Sequence, residues 1–244
     1  MVSFGFWNVD SLRNTSKDER EIARLAAELA VERSLDILFL IECGIPVPAL
    51  LAAFDQGPEY HAISCGNRFK VVARFNPKCL ARLSLPVSND RFDVWQLQLP
   101  LQQEILVSVV HGLDKRNNSP EKQGLFLQQV AATIAYFETQ IGHDRSIVLG
   151  DFNANPFESS VASVLGMNAV ASRSIASDEP RQMFGRSYPY FYNPMWNLFG
   201  DEPRGTSPGT YYYRGSNPHE LYMAYVRPSG DSSVFAQQLF FRRI

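Results

Sequence analysis

Apolar residues recur at two periods along this chain, and the places where the period changes mark its elements. Val2 to Asp10 alternates loosely and ends in polar residues, which reads as a first strand. Ile22, Leu25, Ala26 and Leu29 then recur at helical spacing and predict one buried stripe. Ser16 and Glu19 spell Ser-x-x-Glu, so a capping box at Ser16 is expected to start that helix. Asp36-Ile37-Leu38-Phe39-Leu40-Ile41 is a short continuous apolar run, the pattern of a strand buried on both faces. Glu42 stands at its end, where Gly44 and Pro46 force a turn.

Between Tyr60 and Val110 the pattern predicts short strands at 60–64, 68–74, 80–87, 91–99 and 104–110, with Asn89-Asp90 as a hairpin turn. Asp93, Trp95, Leu97 and Leu99 share one face of the fourth, and Val94, Gln96 and Gln98 the other. Ser119-Pro120-Glu121 opens a second long helix with proline in its first turn, and Phe126, Val130, Ile134 and Phe137 carry its stripe. Ser146 to Leu149 is another short buried strand, ending at Gly150-Asp151. A short helix is expected after Pro156, to about Leu165. Residues 166–220 read as loop, with strands at Leu221–Val226 and Phe235–Phe241. No internal repeat or linker interrupts the chain, so a single domain over residues 1–244 is the simplest reading. Strands interleaved with two widely spaced helices favour a layered α/β fold.

Composition changes this picture little. The chain has 244 residues, 45% hydrophobic and 20% charged, ordinary for a globular protein with a sizeable core. A net charge of −2 excludes a strongly basic coat for nucleic acid but leaves room for a local patch. Three sparse cysteines, Cys43, Cys65 and Cys79, have no metal-type spacing and read as reduced thiols of a cytoplasmic protein. No signal-peptide pattern and no apolar run of membrane-spanning length is visible.

The candidate chemistry sits at three strand ends, which carry Asn8 and Asp10, then Glu42, then Asp151 and Asn153. An Asp or Asn there is often only a turn former that bonds its own backbone. Glu42 resists that explanation, because Glu is a poor turn former and follows a nearly unbroken apolar run. Hard cations such as magnesium take oxygen ligands and commonly use one or two carboxylates, leaving positions for water and phosphate. Glu42 with Asp10 or Asp151 meets that demand, and Asn8 and Asn153 add neutral donors and acceptors.

Ile147-Val148-Leu149-Gly150-Asp151-Phe152-Asn153 resembles the hydrophobic-Gly-Asp-Phe-Asn signature of the endonuclease/exonuclease/phosphatase (exonuclease III / DNase I-like) superfamily. Phe6-Trp7-Asn8-Val9-Asp10 is similar to its opening Trp-Asn strand, and Asp36 through Glu42 to its strand of Asp, apolar run and Glu. His111, ending the strand Leu106 to Val110, matches the position where many members carry a His or Tyr beside the phosphate. The resemblance covers residues 2–156 well and 205–228 weakly. It implies an α/β four-layered sandwich of two mixed β-sheets flanked by helices, and metal-dependent hydrolysis of phosphate esters. It implies Mg²⁺ or Mn²⁺ on Glu42, joined by Asp10, and Asp151 orienting or deprotonating the attacking water. Asn8, Asn153 and His111 would bind the substrate phosphate, or in Asn8's case help hold the metal through water.

The later family pattern is missing. Where it places an Asp on a late strand, Tyr222 stands, and no Ser-Asp-His follows; Ser229-Gly230-Asp231-Ser232 is the nearest imitation. His219, in an Asn-Pro-His-Glu turn, reads as a loop residue rather than a substitute. The chain is therefore expected to be incomplete at its C-terminal end or to have lost part of the site. The function predicted is a phosphodiesterase, foremost a nuclease acting on DNA. The alternatives are a phosphatase or phosphodiesterase on a lipid or small phosphoester, and a degenerate module that binds nucleic acid or protein without turnover. Two features bear on the substrate. Arg68, Lys70, Arg74, Lys78 and Arg82 form a basic stretch that either tracks a phosphate backbone or is a solvated strand face. The aromatics from Tyr188 to Tyr213, with Arg186, Arg204 and Arg214 among them, either stack bases or pack their own loop. Asn193 to Trp196 and Gly209 to Tyr213 weakly resemble motifs of bacterial members.

Overall fold

The structure, a computed structural model, describes residues 2–12, 17–54, 59–65, 68–86, 89–198 and 238–242. Their contacts divide them into two compact units, one of described residues up to Ala81 and one from Arg82 onward. Each unit is built on its own mixed sheet with helices against it, so the α/β class with two mixed sheets is what the chain adopts.

In the first unit, β1 (Phe4–Asn8) and β2 (Ile37–Ile41) run parallel, from Phe4 opposite Ile37 to Asn8 opposite Ile41. A parallel pair needs a crossover, and α1 (Glu19–Glu32) supplies it. Its cap is Asp18, whose carboxylate accepts from the Arg20 amide, and not the expected Ser16 box. Asp is as good a cap as Ser, and the one adjacent to the first helical residue wins. Ile22, Ala26 and Leu29 are buried as the stripe requires, joined by Ala23, Ala27 and Ala30. Burying Ile22 and Leu29 contributes roughly 1.5–3 kcal/mol each. After α2 (Val47–Ala52), β3 (His61–Cys65) and β4 (Phe69–Ala73) complete the sheet in the order β1-β2-β4-β3. All five residues of β2 are buried, as its continuous apolar run predicts.

In the second sheet, β5 (Leu80–Arg82), β6 (Phe92–Leu99), β7 (Gln103–His111) and β8 (Ser146–Asp151) lie side by side. The strand expected over 80–87 stops at Arg82. Asn89 makes the turn before β6 by accepting from the Arg91 amide. Both faces of β6 are buried from Phe92 to Trp95, and exposure begins only toward its end. The β7–β8 crossover is α3 (Pro120–Ile141), capped by Ser119 and ended by Gly142 in the left-handed conformation. Phe126, Val130, Ile134 and Phe137 of α3 pack in one core with Phe92, Leu106, Val110 and Val148.

The stretch beginning at residue 166 is more ordered than its composition predicts. It follows α4 (Ser159–Ala162) and holds β9 (Ala169–Val170), α5 (Arg173–Ala176), the hairpin β10 (Arg181–Met183) and β11 (Arg186–Tyr188), and β12 (Phe191–Tyr192). These pieces are too short to show a period, and tertiary pairing makes them. The final strand is β13 (Gln238–Arg242), antiparallel to β8 and β12. The expected strand at Leu221–Val226, His219, the Ser229–Ser232 segment and the aromatics from Phe199 to Tyr213 lie outside the described residues.

Candidate active site

Parallel strands leave a sheet at the same edge, so β1 and β2 deliver their end residues together. Asn8 lies opposite Ile41, directly before Glu42. The two exits are stitched by backbone bonds. The Val9 amide donates to the Ile41 carbonyl at 3.0 Å, and the Ser11 and Leu12 amides to the Glu42 carbonyl at 2.8 and 3.0 Å. The Ser11 hydroxyl also donates to the Glu42 carbonyl and accepts from the Gly44 amide. Asn8 Oδ1 accepts from the Asp10 amide at 3.0 Å, so one candidate fixes another.

Asp10 and Glu42 are both left-handed, with φ of 49° and 50°. Asp tolerates that region through local hydrogen bonds, but Glu at positive φ costs about 1 kcal/mol or more. Strain of this kind persists where the surroundings hold it and collects at functional sites. Each carboxylate has a cationic neighbour. Arg68 Nη1 is 3.5 Å from Glu42 Oε1, with the Glu42 side chain only 13% exposed. Lys17 Nζ is 3.4 Å from Asp10 Oδ2, and that pair is much more open to solvent.

The second unit repeats the device. β7 and β8 are parallel and place His111 opposite Asp151. The Gly112 amide donates to the Asp151 carbonyl at 2.6 Å. The two exits approach so closely that a Cβ on Gly112 would lie 2.2 Å from the Phe152 carbonyl oxygen, and one on Gly150 would lie 2.1 Å from that of Val110. The Gly of Gly-Asp-Phe-Asn is thus a packing requirement. Asp151 Oδ1 accepts from the Asn153 amide at 3.2 Å, and Asn153 is left-handed, with φ of 50°. Asn153 Nδ2 donates to the Gly112 carbonyl at 3.2 Å, and Arg91 Nη1 donates to the same oxygen. His111 is buried, its amide bonded to the Arg91 carbonyl at 2.7 Å.

Residues that the motifs did not single out hold this arrangement. Gln123 of α3 donates through Nε2 to the Leu113 carbonyl at 2.7 Å and to that of Asn153 at 3.3 Å, tying both exits to one helix. Its signal was a polar residue on the apolar stripe, three before Phe126. Lys115 pairs with Glu158, whose Oε1 also accepts from Asn155 Nδ2 at 2.7 Å. Those partners are more than 40 residues apart in one case, so no local pattern reveals them.

The basic stretch resolves differently from its phosphate-tracking reading. Arg68 faces Glu42, Arg74 faces Asp36 and Arg82 faces Asp93, while Lys70 is buried. The stretch contains no acid of its own, so its countercharges come from other strands. Among the aromatics, Phe191 is core, Tyr192 lies under Arg173 and Tyr190 under Arg181, and Trp196 meets Phe157. For these described residues, self-packing is the better account.

Among the described residues no cluster of three or more His, Cys, Asp or Glu side chains forms a metal cage. Magnesium does not need one: one or two carboxylates suffice, with water and phosphate filling the rest. A firmly held, partly exposed Glu42 with a more open Asp10 at the adjoining strand exit fits that chemistry, and closed zinc or calcium coordination does not. Cys43 and Cys79 are free thiols, and no described helix is long and apolar enough to cross a membrane.

Solved structures share the fold. The catalytic domain of human Nocturnin, with bound sulfate, aligns at a TM-score of 0.58 and 15% identity over 99% of this chain and 82% of its own. Truncated Caenorhabditis elegans TDP2 aligns at 0.55 and 13% over 99% and 83%. D. rerio TDP2 complexed with a single-strand DNA product aligns at 0.51 and 16% over 99% and 83%. Comparison with curated proteins gives no match. The profile of the Endonuclease/Exonuclease/phosphatase family matches residues 5–222, spanning both sets of strand ends, and the chain belongs to that family.

Proposed function

We propose that the chain is a divalent-metal-dependent phosphodiesterase, a nuclease that hydrolyses DNA phosphodiester bonds. The observation that carries this reading is the doubled device of parallel strand exits. One presents Asn8, Asp10 and Glu42, the other His111, Asp151 and Asn153, with Asp10, Glu42 and Asn153 held left-handed.

Glu42, with Asp10, would hold magnesium or manganese. The ion supplies neutralisation of charge developing on the phosphoryl oxygens. Asp151 orients the attacking water and takes its proton, from a carboxylate whose turn is fixed by the Asn153 amide. Asn153 donates to a phosphate oxygen with the amide hydrogen not used on Gly112, and Asn8 and His111 contact the phosphate as well. Family membership supports hydrolysis of phosphoesters, and the single-strand DNA product bound to D. rerio TDP2 favours DNA as the first substrate to try. The free thiols suit a cytoplasmic setting.

A labelled single-stranded oligonucleotide with Mg²⁺ tests the reading. EDTA abolishes cleavage, and Asp151→Ala lowers the rate about 10²–10⁴-fold with the fold unchanged by circular dichroism. Turnover of inositol phosphates or sphingomyelin but not DNA would transfer the proposal to lipid or small phosphoesters. Oligonucleotide binding without turnover, indifferent to Glu42→Ala, would leave a non-catalytic binding module.

A further inference from the structure

The β10–β11 hairpin projects an aromatic residue in a conformation that aromatic residues avoid. Its register pairs Arg181 with Tyr188, Gln182 with Ser187 and Met183 with Arg186, which leaves Phe184-Gly185 as a two-residue loop. Both loop residues have positive φ, 50° and 70°, the geometry of a type I′ turn. That turn favours Asn-Gly or Asp-Gly, whose first residue tolerates the left-handed region; Phe does not. Phe184 is also 86% exposed, so no packing offsets the cost.

The surroundings are cationic and aromatic. Cross-strand partners share a face, so Arg181, Met183, Arg186 and Tyr188 lie together, with both arginines exposed. Arg181 lies 5.3 Å over the Tyr190 ring. Arg186 and Tyr188 also line a cavity of about 500 Å³ together with Gln128, Gln129 and Asn168. Asn168 fixes one wall by donating to the Tyr188 and Pro189 carbonyls at 2.9 and 3.1 Å. The rest of the lining is mostly apolar, with Leu125, Ala132, Val164 and Met167 among it, and an apolar cavity of this volume with a few amide groups suits a nucleoside.

We propose that this hairpin is a contact for single-stranded nucleic acid: Phe184 stacks on a base, Arg181 and Arg186 meet flanking phosphates, and the adjoining cavity receives a neighbouring nucleoside. An exposed ring stacks any base, and an arginine at its side neutralises the phosphate that follows. Exposed Asp178 and Glu179 just before the hairpin keep its net charge low, so stacking rather than charge carries most of the contact. The choice of ligand rests on the nuclease reading; the site lies outside the residues proposed for hydrolysis.

The test is fluorescence anisotropy of a labelled 12-mer oligothymidylate in EDTA, which needs no turnover. A parallel assay follows bis(p-nitrophenyl) phosphate hydrolysis with Mg²⁺. Phe184→Asn is the informative variant, because Asn-Gly is the better type I′ turn. It keeps or raises the melting temperature and weakens oligonucleotide binding about tenfold. Phe184→Trp restores binding, Arg186→Ala weakens it and flattens its salt dependence, and all three leave the small ester's hydrolysis unchanged. Unaltered oligonucleotide affinity in both Phe184→Asn and Arg186→Ala overturns the inference. So does a loss confined to anionic phosphatidylserine vesicles, which would make the ring a membrane contact. Loss of oligonucleotide binding in a protein that hydrolyses neither DNA nor the small ester overturns the nuclease reading and leaves this contact standing.

Discussion

The strand exits of β1–β2 and of β7–β8 solve the same geometric problem by different means. Both are parallel pairs with candidate residues at the last rungs, Asn8 beside Ile41 and His111 beside Asp151. Both then turn through left-handed residues. In the first unit the carboxylates are balanced by charge, Glu42 by Arg68 and Asp10 by Lys17. In the second, the exits are held by close backbone approach and neutral hydrogen bonds, from Gly112, Gly150, Asn153 and Gln123. A side chain's ion pair can be exchanged for a cation without moving the backbone. A carbonyl 2.2 Å from where a methyl group would stand cannot yield. The first arrangement suits a group that binds and releases a metal, and the second a group whose position must not change.

The comparison can be broken at two places. Gly112→Ala should have the largest effect, about 3 kcal/mol of lost stability in denaturant unfolding, because the Phe152 backbone must shift. A variant as stable as the parent would show that the second exit is as pliable as the first. Arg68→Ala should act in the opposite sense on the first exit. It removes the cation that competes for Glu42, so Mn²⁺ affinity by titration calorimetry rises about fivefold, ~1 kcal/mol. Weaker Mn²⁺ binding would mean that Arg68 positions Glu42 instead of competing for it.

The smallest effect concerns a carboxylate that belongs to neither exit. Asp93 has a side chain only 1% exposed and pairs with Arg82 at 2.6 Å. Burial pushes its carboxyl above the usual range, and Arg82 offsets this only in part. A group with a raised folded-state pKa contributes its stability below the unfolded value, and that contribution is lost as pH rises through the folded one. Parent stability should therefore decline as pH rises from the ordinary Asp range, near about 4, through the raised value, and Asp93→Asn should lack that decline. An identical pH profile in both proteins would mean that Arg82 fully compensates the burial.

Much of this was readable along the chain. The unbroken run Ile37–Ile41 is buried throughout, and the α3 stripe faces its core as spaced. Gly150-Asp151-Phe152-Asn153 does sit at a strand exit. Elements of that kind are legible because burial on one face imposes a period, and a strand end needs a turn. The helix cap moved from Ser16 to Asp18 because neighbouring capping residues compete and their sequence signals are nearly equal. The two-residue strands β9 and β12 carry no period of their own.

The sequence by itself determined the long helices and the continuous apolar strands, and where its acids and amides fall relative to their ends, but not the short elements from β9 to β12. Only the tertiary structure decided which strands pair and in which direction. It also decided that Arg68, Arg74 and Arg82 each meet a carboxylate, and that Phe184 stands exposed at a hairpin tip. Periodicity is set between neighbours a few residues apart, whereas a charge finds its partner only after the backbone has brought distant strands to one edge.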